Sequence, residues 1–304
     1  MRRLPWLGLG ITLAITPLFL QGYPLRLATE VVAWALAATS LAFLFRTTGL
    51  VSLGHAAFFG GGAYITALLV RENPAAYLLA LPLAGASGFI AAVFLGLLGL
   101  RSHGIQFLML TLAFSQLIYI LVKQGFPEFT GGDDGLSGIP KPPGLDNPIA
   151  FYLVSLCLLG ITLVAYSLLL RSPLGQVWDA LRLNEKRLNS LGFNTHLYKL
   201  LAFGLSGALG ALAGVVLASH RGFVHPHDLA WNTSGLLLVM AVVGGIRGIF
   251  SGTVGATALI LLEAALSSYT DIWNLFIGLF LMGYVIFTLR SHQERGGVRG
   301  SATA

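Results

Sequence analysis

Apolar residues fill this chain in long runs separated by short polar segments. A helix needs about 20 consecutive apolar residues to cross the hydrocarbon core of a bilayer. The pattern therefore predicts an all-α fold, a polytopic bundle of ten transmembrane helices forming a single domain over residues 1–304. The predicted spans are residues 4–20, 28–45, 50–70, 76–100, 104–122, 149–170, 199–219, 232–246, 252–267 and 271–289.

The composition supports a membrane protein. Hydrophobic residues make up 56% of the chain, charged residues 10%, and the mean hydropathy is +0.80. Soluble domains carry about 25% charged residues. The basic residues lie in the connecting segments, so the high pI does not indicate a nucleic-acid partner. The single cysteine, Cys157, excludes an internal disulfide framework and a cysteine metal site. The run that ends at Leu20 is interpreted as a first span, because no A-x-A-like cleavage site follows it.

The distribution of Lys and Arg predicts the orientation of the chain. With the N-terminus inside, the segments on the cytoplasmic side hold thirteen of these residues and the outer segments hold five. Cytoplasmic segments of membrane proteins carry the excess of positive charge. We therefore expect both termini, including the tail 290–304, and the segment 171–199 to be cytoplasmic. Residues 123–148 are then the longest extracytoplasmic loop.

The segment 171–199 is the longest polar stretch between two strongly apolar runs. Ser172 and Pro173 predict the start of a helix, and Gly192 predicts its end. Apolar residues recur between them at helical spacing. An amphipathic helix held between two spans must present its polar face to water or to a partner. We therefore expect it to bind a cytoplasmic protein.

Glycine clusters in the two halves of the chain predict interrupted helices. Paired interruptions of this kind point to a substrate pathway between the halves. The alternative is that small residues let helices pack closely. The candidate gating or packing glycines are Gly60, Gly61, Gly62, Gly244 and Gly245.

Four polar residues inside or near the predicted spans are candidates for lining that pathway: Ser52, His55, Gln116 and Glu263. A charge at the bilayer centre costs about 2.5–3.5 kcal/mol on insertion scales, which makes Glu263 the most costly of the four. Hydrogen bonding between helices is the alternative for the other three, and an interfacial position is the alternative for Glu263.

Motifs for metal or nucleotide chemistry are absent from the sequence. No lysine follows a glycine, which excludes a G-K-[ST] phosphate loop, and no H-E-x-x-H pattern occurs. His225 with His227 predicts a turn rather than a metal site. The carboxylates of Glu128, Asp133 and Asp134 lack the regular spacing of a calcium loop, so a solvated turn is expected there as well.

One pattern raises an enzymatic alternative. Gly85-Ala-Ser87-Gly88 resembles the G-x-S motif of rhomboid intramembrane serine proteases, with His220 as the base that an activated serine requires. Clusters of small residues are also common at ordinary helix interfaces. The rest of the chain does not follow the rhomboid pattern.

Several blocks in a fixed order resemble the membrane permeases of bacterial branched-chain amino acid ABC importers. They are TTGLVSLGHAAFFGGGAY at 47–64, LTLAFSQL at 110–117, TGGDDGLSGIP at 130–140, the long block at 172–218 that begins SPLGQVWDALRLNEKRLNSLG, and MAVVGGIRGIFSGTVGA at 240–256. The last block has Gly245-Ile-Arg247-Gly248 where the family commonly has a Gly-Leu-Gly-Thr-like turn. The similarity covers most of residues 40–290.

The resemblance implies a multi-pass subunit of the bacterial inner membrane that is not itself an enzyme. Its implied partners are a second homologous permease, two cytoplasmic ATP-binding subunits and a periplasmic substrate-binding protein. This chain would bind no cofactor, since ATP and Mg²⁺ belong to the partner subunits. The segment 171–199 corresponds to the family's coupling loop, and the residues expected to couple it to the ATPase are Asp179, Asn184, Glu185, Lys186, Arg187, Leu191 and Gly192.

The substrate that the resemblance implies is a branched-chain amino acid: leucine, isoleucine or valine. Related permeases import urea, short amides and other small organic acids, which form the alternative within the same machinery. The rhomboid-like protease is the alternative of another class, and a passive channel is the third. A channel would leave the amphipathic segment at 171–199 without a partner.

Overall fold

The computed structural model describes residues 22–102, 104–245 and 248–267, with isolated positions 275, 278 and 279 beyond them. Eleven α-helices lie in these residues. In chain order they are α1 (Tyr23–Thr48), α2 (His55–Val70), α3 (Tyr77–Gly99), α4 (Ile105–Ile120), α5 (Pro127–Thr130), α6 (Pro148–Arg171), α7 (Pro173–Leu183), α8 (Glu185–Ser190), α9 (Thr195–Arg221), α10 (Trp231–Val243) and α11 (Ser251–Ser267). Two 3-10 turns (Pro74–Ala76 and Pro226–Leu229), a π turn (Leu121–Gly125) and two short strands, β1 (Leu136–Ser137) and β2 (Phe223–Val224), complete the described elements.

Five of the described helical segments are long and apolar enough to cross a membrane: Tyr23–Thr48, Pro74–Gly99, Ile105–Gly125, Pro148–Arg171 and Thr195–Arg221. They coincide with five of the predicted spans. The helices α2, α10 and α11 are apolar but shorter. The predicted spans 4–20 and, apart from the isolated positions, 271–289 lie outside the described residues. The prediction of a polytopic helical membrane protein is confirmed.

Local sequence explains where the long helices end. Helix α1 stops at Gly49, which has a φ of +73° and donates its N–H to Phe45 O. A glycine adopts this left-handed conformation without steric cost. Helix α6 begins where the side chain of Asn147 accepts the N–H of Ile149, with Pro148 in the first turn. Short polar and glycine signals thus set the boundaries of long apolar helices.

Helix α9 lies at the centre of the fold and contacts α1, α2 and α3. Small residues bring the backbones together. A Cβ atom at Gly207 would lie 2.5 Å from Gly88 O on α3, and one at Gly62 on α2 would lie 2.1 Å from Ala211 O. In a membrane, helices associate through such close packing because lipid removes the hydrophobic advantage of burying apolar side chains.

The segment 123–148 holds no spanning helix and is fixed at one end of the bundle. Its strand β1 pairs antiparallel with β2, Leu136 opposite Val224 and Ser137 opposite Phe223. The hydroxyl of Tyr77 donates to Pro140 O at 2.7 Å and lies 3.0 Å from Ser219 Oγ. The prediction anticipated a loop here but not the short sheet that holds it.

Two expectations about local structure are wrong. The coupling segment forms two helices, α7 and α8, rather than one, because Asn184 leaves helical geometry with a φ of −159°. Helix α2 runs without a break through Gly60, Gly61 and Gly62, and the irregular stretch precedes it at residues 49–54. The second predicted interruption does occur, since α10 ends at Val243 and α11 begins at Ser251.

The chain divides into two compact units, residues 1–256 and 257–304. The first contains α1 to α10 and the start of α11. In the second, the described residues are the remainder of α11 and the three isolated positions. Glu263 lies on α11 in the second unit, and the site described below lies in the first.

Candidate coupling surface and buried polar core

Trp178 fixes helix α7 against the bundle. Its side chain is among the largest fully buried ones and packs edge-on against Phe43 of α1, with ring centroids 5.6 Å apart. Its indole N–H donates to Tyr198 O on α9 at 2.9 Å. Tyr166 of α6 contacts the same Phe43 ring at 5.0 Å. A buried tryptophan with its N–H satisfied holds α7 to α1 and α9 at once.

An ion pair attaches α7 to the end of α1. Asp179 accepts from the guanidinium of Arg46, and the side chains are 45% and 19% exposed. Arg182, one turn later, lies beside Gly49, where a Cβ atom would be 3.6 Å from its Cγ. Asp179, predicted as a contact to the ATPase, is therefore engaged within this chain.

Asn184 ends α7 and begins α8. Its side-chain oxygen accepts the N–H of Arg187 at 3.0 Å, the usual role of asparagine at a helix start. The next residue, Glu185, forms an ion pair with Lys199 of α9, with Oε1 and Nζ 2.6 Å apart. Lys199 is buried, so this carboxylate turns toward the bundle rather than toward a partner protein.

The outward face of α7 and α8 combines apolar and cationic groups. Leu183 is 81% exposed and Leu191 is 69% exposed, and Lys186 and Arg187 are exposed beside them. Gly192 ends α8 with a φ of +88° and donates its N–H to Asn189 O. We call the exposed side chains of Leu183, Lys186, Arg187 and Leu191 the coupling surface.

A buried hydrogen-bonded chain joins three helices near the middle of the bundle. His55 Nε2 lies 2.7 Å from Ser206 Oγ, and Ser206 Oγ donates to Ser40 O at 2.5 Å. Because the serine proton goes to the carbonyl, His55 must donate from Nε2, which fixes its tautomer. All three side chains are fully buried. His55 therefore joins α2, α9 and α1 in this conformation and does not line an open pathway.

Hydroxyl side chains satisfy the first amides of α2. Ser52 Oγ accepts the N–H of Gly54 at 3.1 Å, and Ser234 Oγ of α10 accepts the N–H of Ala56 at 2.8 Å. Thr111 of α4 accepts the N–H of Leu53 at 3.0 Å. Irregular backbone at membrane depth requires such partners. The start of α2 therefore meets the start of α10 through a direct hydrogen bond.

Gln116 and the predicted glycines occupy different environments. Gln116 is half-buried on α4, and its Oε1 has no hydrogen-bond partner among the described residues. A Cβ atom at Gly60 would lie 2.6 Å from Leu229 Cγ, whereas one at Gly61 would meet open space. Gly244 packs against Ser251 O, and Gly245 has a φ of +85° at the turn that follows α10.

A charged cluster lies at the opposite end of α9 from the coupling surface. Arg221 pairs with Glu30 of α1 and lies 3.6 Å from Asp228 in the 3-10 turn. Burial raises the pKa of Asp228, and the neighbouring guanidinium opposes that shift. His225 accepts the N–H of His227 and donates its own N–H to Asp228. These two histidines form a turn, as predicted.

One of the acidic residues of the segment 123–148 is held in an ion pair. Asp133 pairs with Lys123 at 2.7 Å. In the part of the chain that the structure describes, no group of three or more His, Cys, Asp or Glu side chains could hold a metal ion.

The serine–histidine pair of the protease alternative does not form. Ser87 donates to Ala84 O at 2.8 Å, and His220 stacks on Phe151. Gly88 contacts Gly207, which is thirteen residues before His220 on the same helix. At 1.5 Å per residue, that separation is about 20 Å along α9. A serine and a base so far apart cannot exchange a proton.

Sequence reasoning missed Trp178, Lys199 and Arg46, which hold the coupling segment in place, and Ser206, which bonds His55. Trp178 stood in the sequence as the bulkiest residue of an amphipathic helix, and that alone could have marked it as its buried side. The partners of the other three lie far away in the chain, and no local pattern indicates them.

Comparison with known proteins agrees with this architecture. Residues 23–287 match the profile of the family described as "Branched-chain amino acid transport system / permease component". The chain is similar to the high-affinity branched-chain amino acid transport system permease protein LivM of Salmonella typhimurium strain LT2 and of Escherichia coli strain K12, with 31% identity over 279 residues in each case. The alignment covers 83% of this chain and 65% of each relative, so the chain spans just under two thirds of their length.

A shorter similarity involves the autoinducer 2 import system permease protein LsrC of Escherichia coli O9:H4 strain HS. It is 31% identical over 181 residues, which are 55% of this chain and 52% of that protein. No solved structure matches the chain significantly. The matched family consists of transport permeases rather than enzymes, and its profile covers most of the sequence. The chain therefore belongs to the branched-chain amino acid transport system permease family.

Proposed function

We propose that this chain is the membrane-embedded permease subunit of an ATP-driven importer and that it moves branched-chain amino acids inward by alternating access. Its partners are a second homologous permease, two cytoplasmic ATP-binding subunits and an extracytoplasmic substrate-binding protein. ATP and Mg²⁺ bind to the partner subunits. The bacterial inner membrane, with both termini cytoplasmic, is the corresponding location.

The coupling surface is the observation that carries this proposal. Trp178 and Asp179 hold α7 to the bundle, while Leu183 and Leu191 remain exposed beside Lys186 and Arg187. Apolar side chains next to cations outside the membrane suit the polar-rimmed interface of a protein partner. A passive channel gives this surface no role, whereas an ATPase subunit that drives transport requires one.

The number of spans follows from the described helices and the sequence. We infer ten: the five long helical segments, the shorter helices α2, α10 and α11, and the two predicted spans 4–20 and 271–289. Helix α10 has 13 residues, or about 20 Å, and does not cross a 30 Å hydrocarbon core alone. Its ends are therefore inferred to lie against protein inside the bundle, where irregular backbone at membrane depth is tolerated.

The pathway is proposed to pass where the starts of α2 and α10 meet, beside Ser52 and His55. The hydrogen-bonded chain through His55 holds α2, α9 and α1 together at this point, so we infer that the pathway is closed in this conformation. Alternating access then requires α2 and α10 to separate from their present contacts. Gln116 remains a candidate for this pathway, and Glu263, in the second unit, remains a candidate on the sequence alone.

Branched-chain amino acids are the leading substrates because the two LivM relatives, aligned over 83% of the chain, are named for their transport. The LsrC relative is named for autoinducer 2 import, so related permeases carry dissimilar small molecules. Urea and short amides are the alternative that the sequence raised.

The test is affinity purification of the tagged chain from native membranes in mild detergent, followed by mass spectrometry. We expect a second permease and ATP-binding subunits to accompany it, and we expect the associated binding protein to bind leucine, isoleucine or valine in a thermal-shift assay. A binding protein that prefers urea, a short amide or autoinducer 2 would change the substrate but keep the importer. Isolation of the chain alone, under conditions that preserve known importer complexes, would contradict the proposal.

A further inference from the structure

We propose that the ion pair between Glu185 and Lys199 is the internal link through which movement of the coupling surface reaches the membrane helices. This inference rests on the proposed function. It assigns Glu185 and Lys199 as positioning residues for transport rather than as contacts to the ATPase.

The geometry of the pair differs from that of a surface salt bridge. Glu185 Oε1 and Lys199 Nζ are 2.6 Å apart, with side chains 31% and 4% exposed. Thr195 Oγ1 lies 3.3 Å from the same carboxylate oxygen and 3.1 Å from Asn189 Oδ1. Polar groups from α8 and from the first turns of α9 therefore meet in one small, partly buried cluster.

Burial makes the pair hard to separate. An exposed salt bridge breaks easily because water solvates both charges. An almost fully buried ammonium that loses its carboxylate remains uncompensated, and that state is strongly unfavourable. Helix α8 therefore follows α9 when either is displaced, instead of moving independently on flexible connections.

Adjacent residues of α9 receive both helices of the coupling segment. Trp178 of α7 donates to Tyr198 O, and Glu185 of α8 pairs with Lys199. Two attachments at successive residues of α9 resist rotation of the coupling segment relative to α9 as well as its translation. The Arg46–Asp179 pair adds a third attachment, to the end of α1. The contacts of Trp178 and Asp179 hold α7, whereas the Glu185–Lys199 pair holds α8, which carries Lys186 and Arg187. The coupling segment is thus joined to α1 and α9, two of the three helices that carry the buried hydrogen-bonded chain.

Helix α9 continues this connection into the bundle. Ser206 lies seven residues after Lys199, about 10 Å along the helix, and bonds Ser40 and His55. His55 is the first residue of α2. A displacement of Lys199 is therefore transmitted along two turns of α9 to Ser206, and through Ser206 to the start of α2.

Amide hydrogen exchange of the purified complex tests the link without requiring the substrate to be known. The segment to follow is 52–58, at the start of α2, with and without ATP. In the wild type we expect ATP to change its exchange rate by at least about fivefold, the lower end of usual coupling between sites. In Glu185→Gln combined with Lys199→Met we expect that change to disappear, while the ATP-induced change at 173–190 and the co-purification of ATP-binding subunits persist.

The neutral double variant is chosen because it removes both charges and leaves no unpaired buried ammonium. The reversed pair, Glu185→Lys with Lys199→Glu, should restore the response at 52–58. Lys186→Ala with Arg187→Ala is the matched control on the exposed side of α8, and it should weaken co-purification instead.

Three outcomes of the exchange measurements would overturn the inference. They are a normal response at 52–58 in the neutral double variant, a reversed pair that stays as unresponsive as the neutral one, and a wild-type complex in which ATP leaves 52–58 unchanged. Loss of the ATP-binding subunits from the neutral double variant would also overturn it, since Glu185 would then be a docking contact. A wild-type chain that carries no ATP-binding subunits would refute the proposed function itself.

Discussion

Replacement of Trp178 by alanine tests most sharply whether the coupling segment is held to the bundle as described. The side chain is 1% exposed, packs edge-on against Phe43 and donates to Tyr198 O. Removing a buried tryptophan of this kind costs about 3–5 kcal/mol. At 1.4 kcal/mol per tenfold change, local opening of α7 should become roughly 10² to 4 × 10³ times more frequent.

Hydrogen exchange of residues 173–183 in the purified chain measures that opening. Trp178→Phe keeps a ring against Phe43 but loses the indole donor, so we expect a smaller loss of about 1 kcal/mol, close to fivefold. Leu183→Ala, at an 81% exposed position, is the matched control and should change exchange little. Protection in Trp178→Ala within about threefold of the wild type would refute the assigned role of this side chain.

Substitutions at three other places test the close helix packing, the coupling surface and the burial of Asp228. Gly62→Val should prevent the close approach of α2 and α9 and lower the yield of folded protein after detergent extraction, because its Cβ would lie 2.1 Å from Ala211 O. The control Gly61→Ala meets open space and should give the wild-type yield. Lys186→Ala with Arg187→Ala should lower ATPase co-purification without lowering the melting temperature, and an unchanged yield would count against the coupling surface. Burial raises the pKa of Asp228, so the folded state binds its proton more tightly than the unfolded state does. As pH rises from about 4, the melting temperature of the wild type should therefore fall relative to that of Asp228→Asn. A wild-type melting temperature that rises relative to the variant would contradict the assigned burial of Asp228.

The long helices could be predicted because the apolar composition of each one reflects the membrane or the helix bundle around it. Apolar runs of sufficient length identify α1, α3, α4, α6 and α9, and Pro173 and Gly192 mark the outer ends of the coupling segment. The break between α7 and α8 was missed because Asn184 is also tolerated inside helices. Its φ of −159° and its side-chain bond to the N–H of Arg187 show that it starts a new one.

The role of the glycine triplet illustrates what a local pattern cannot provide. Three consecutive glycines lower helix propensity, so an interruption was expected at Gly60 to Gly62. Helix α2 nevertheless continues through all three, and at two of the positions Leu229 and Ala211 of α9 approach too closely for a side chain. That approach depends on residues about 150 positions away in sequence.

The hydrogen-bond partners of the buried polar residues could not be predicted from a local pattern either. His55 and Ser52 were recognisable as unusual within an apolar run. The partner of His55 is Ser206 of α9, which in turn donates to Ser40 O of α1, and the neighbouring Ala56 N–H is accepted by Ser234 of α10. Glu185 was expected to face a partner protein because it sits in a charged segment. Its pairing with Lys199, fourteen residues later, requires α9 to fold back beneath α8, and only the tertiary arrangement brings that about.

Uptake of labelled leucine into proteoliposomes containing the purified complex tests the central claim most directly. The lumen of the vesicles holds ATP and the substrate-binding protein is added outside, so that complexes whose ATP-binding subunits face the lumen import leucine. The account predicts accumulation of leucine against its gradient that requires both ATP hydrolysis and the binding protein. Leucine that equilibrates across the membrane at the same rate without ATP would identify a passive channel and contradict the account.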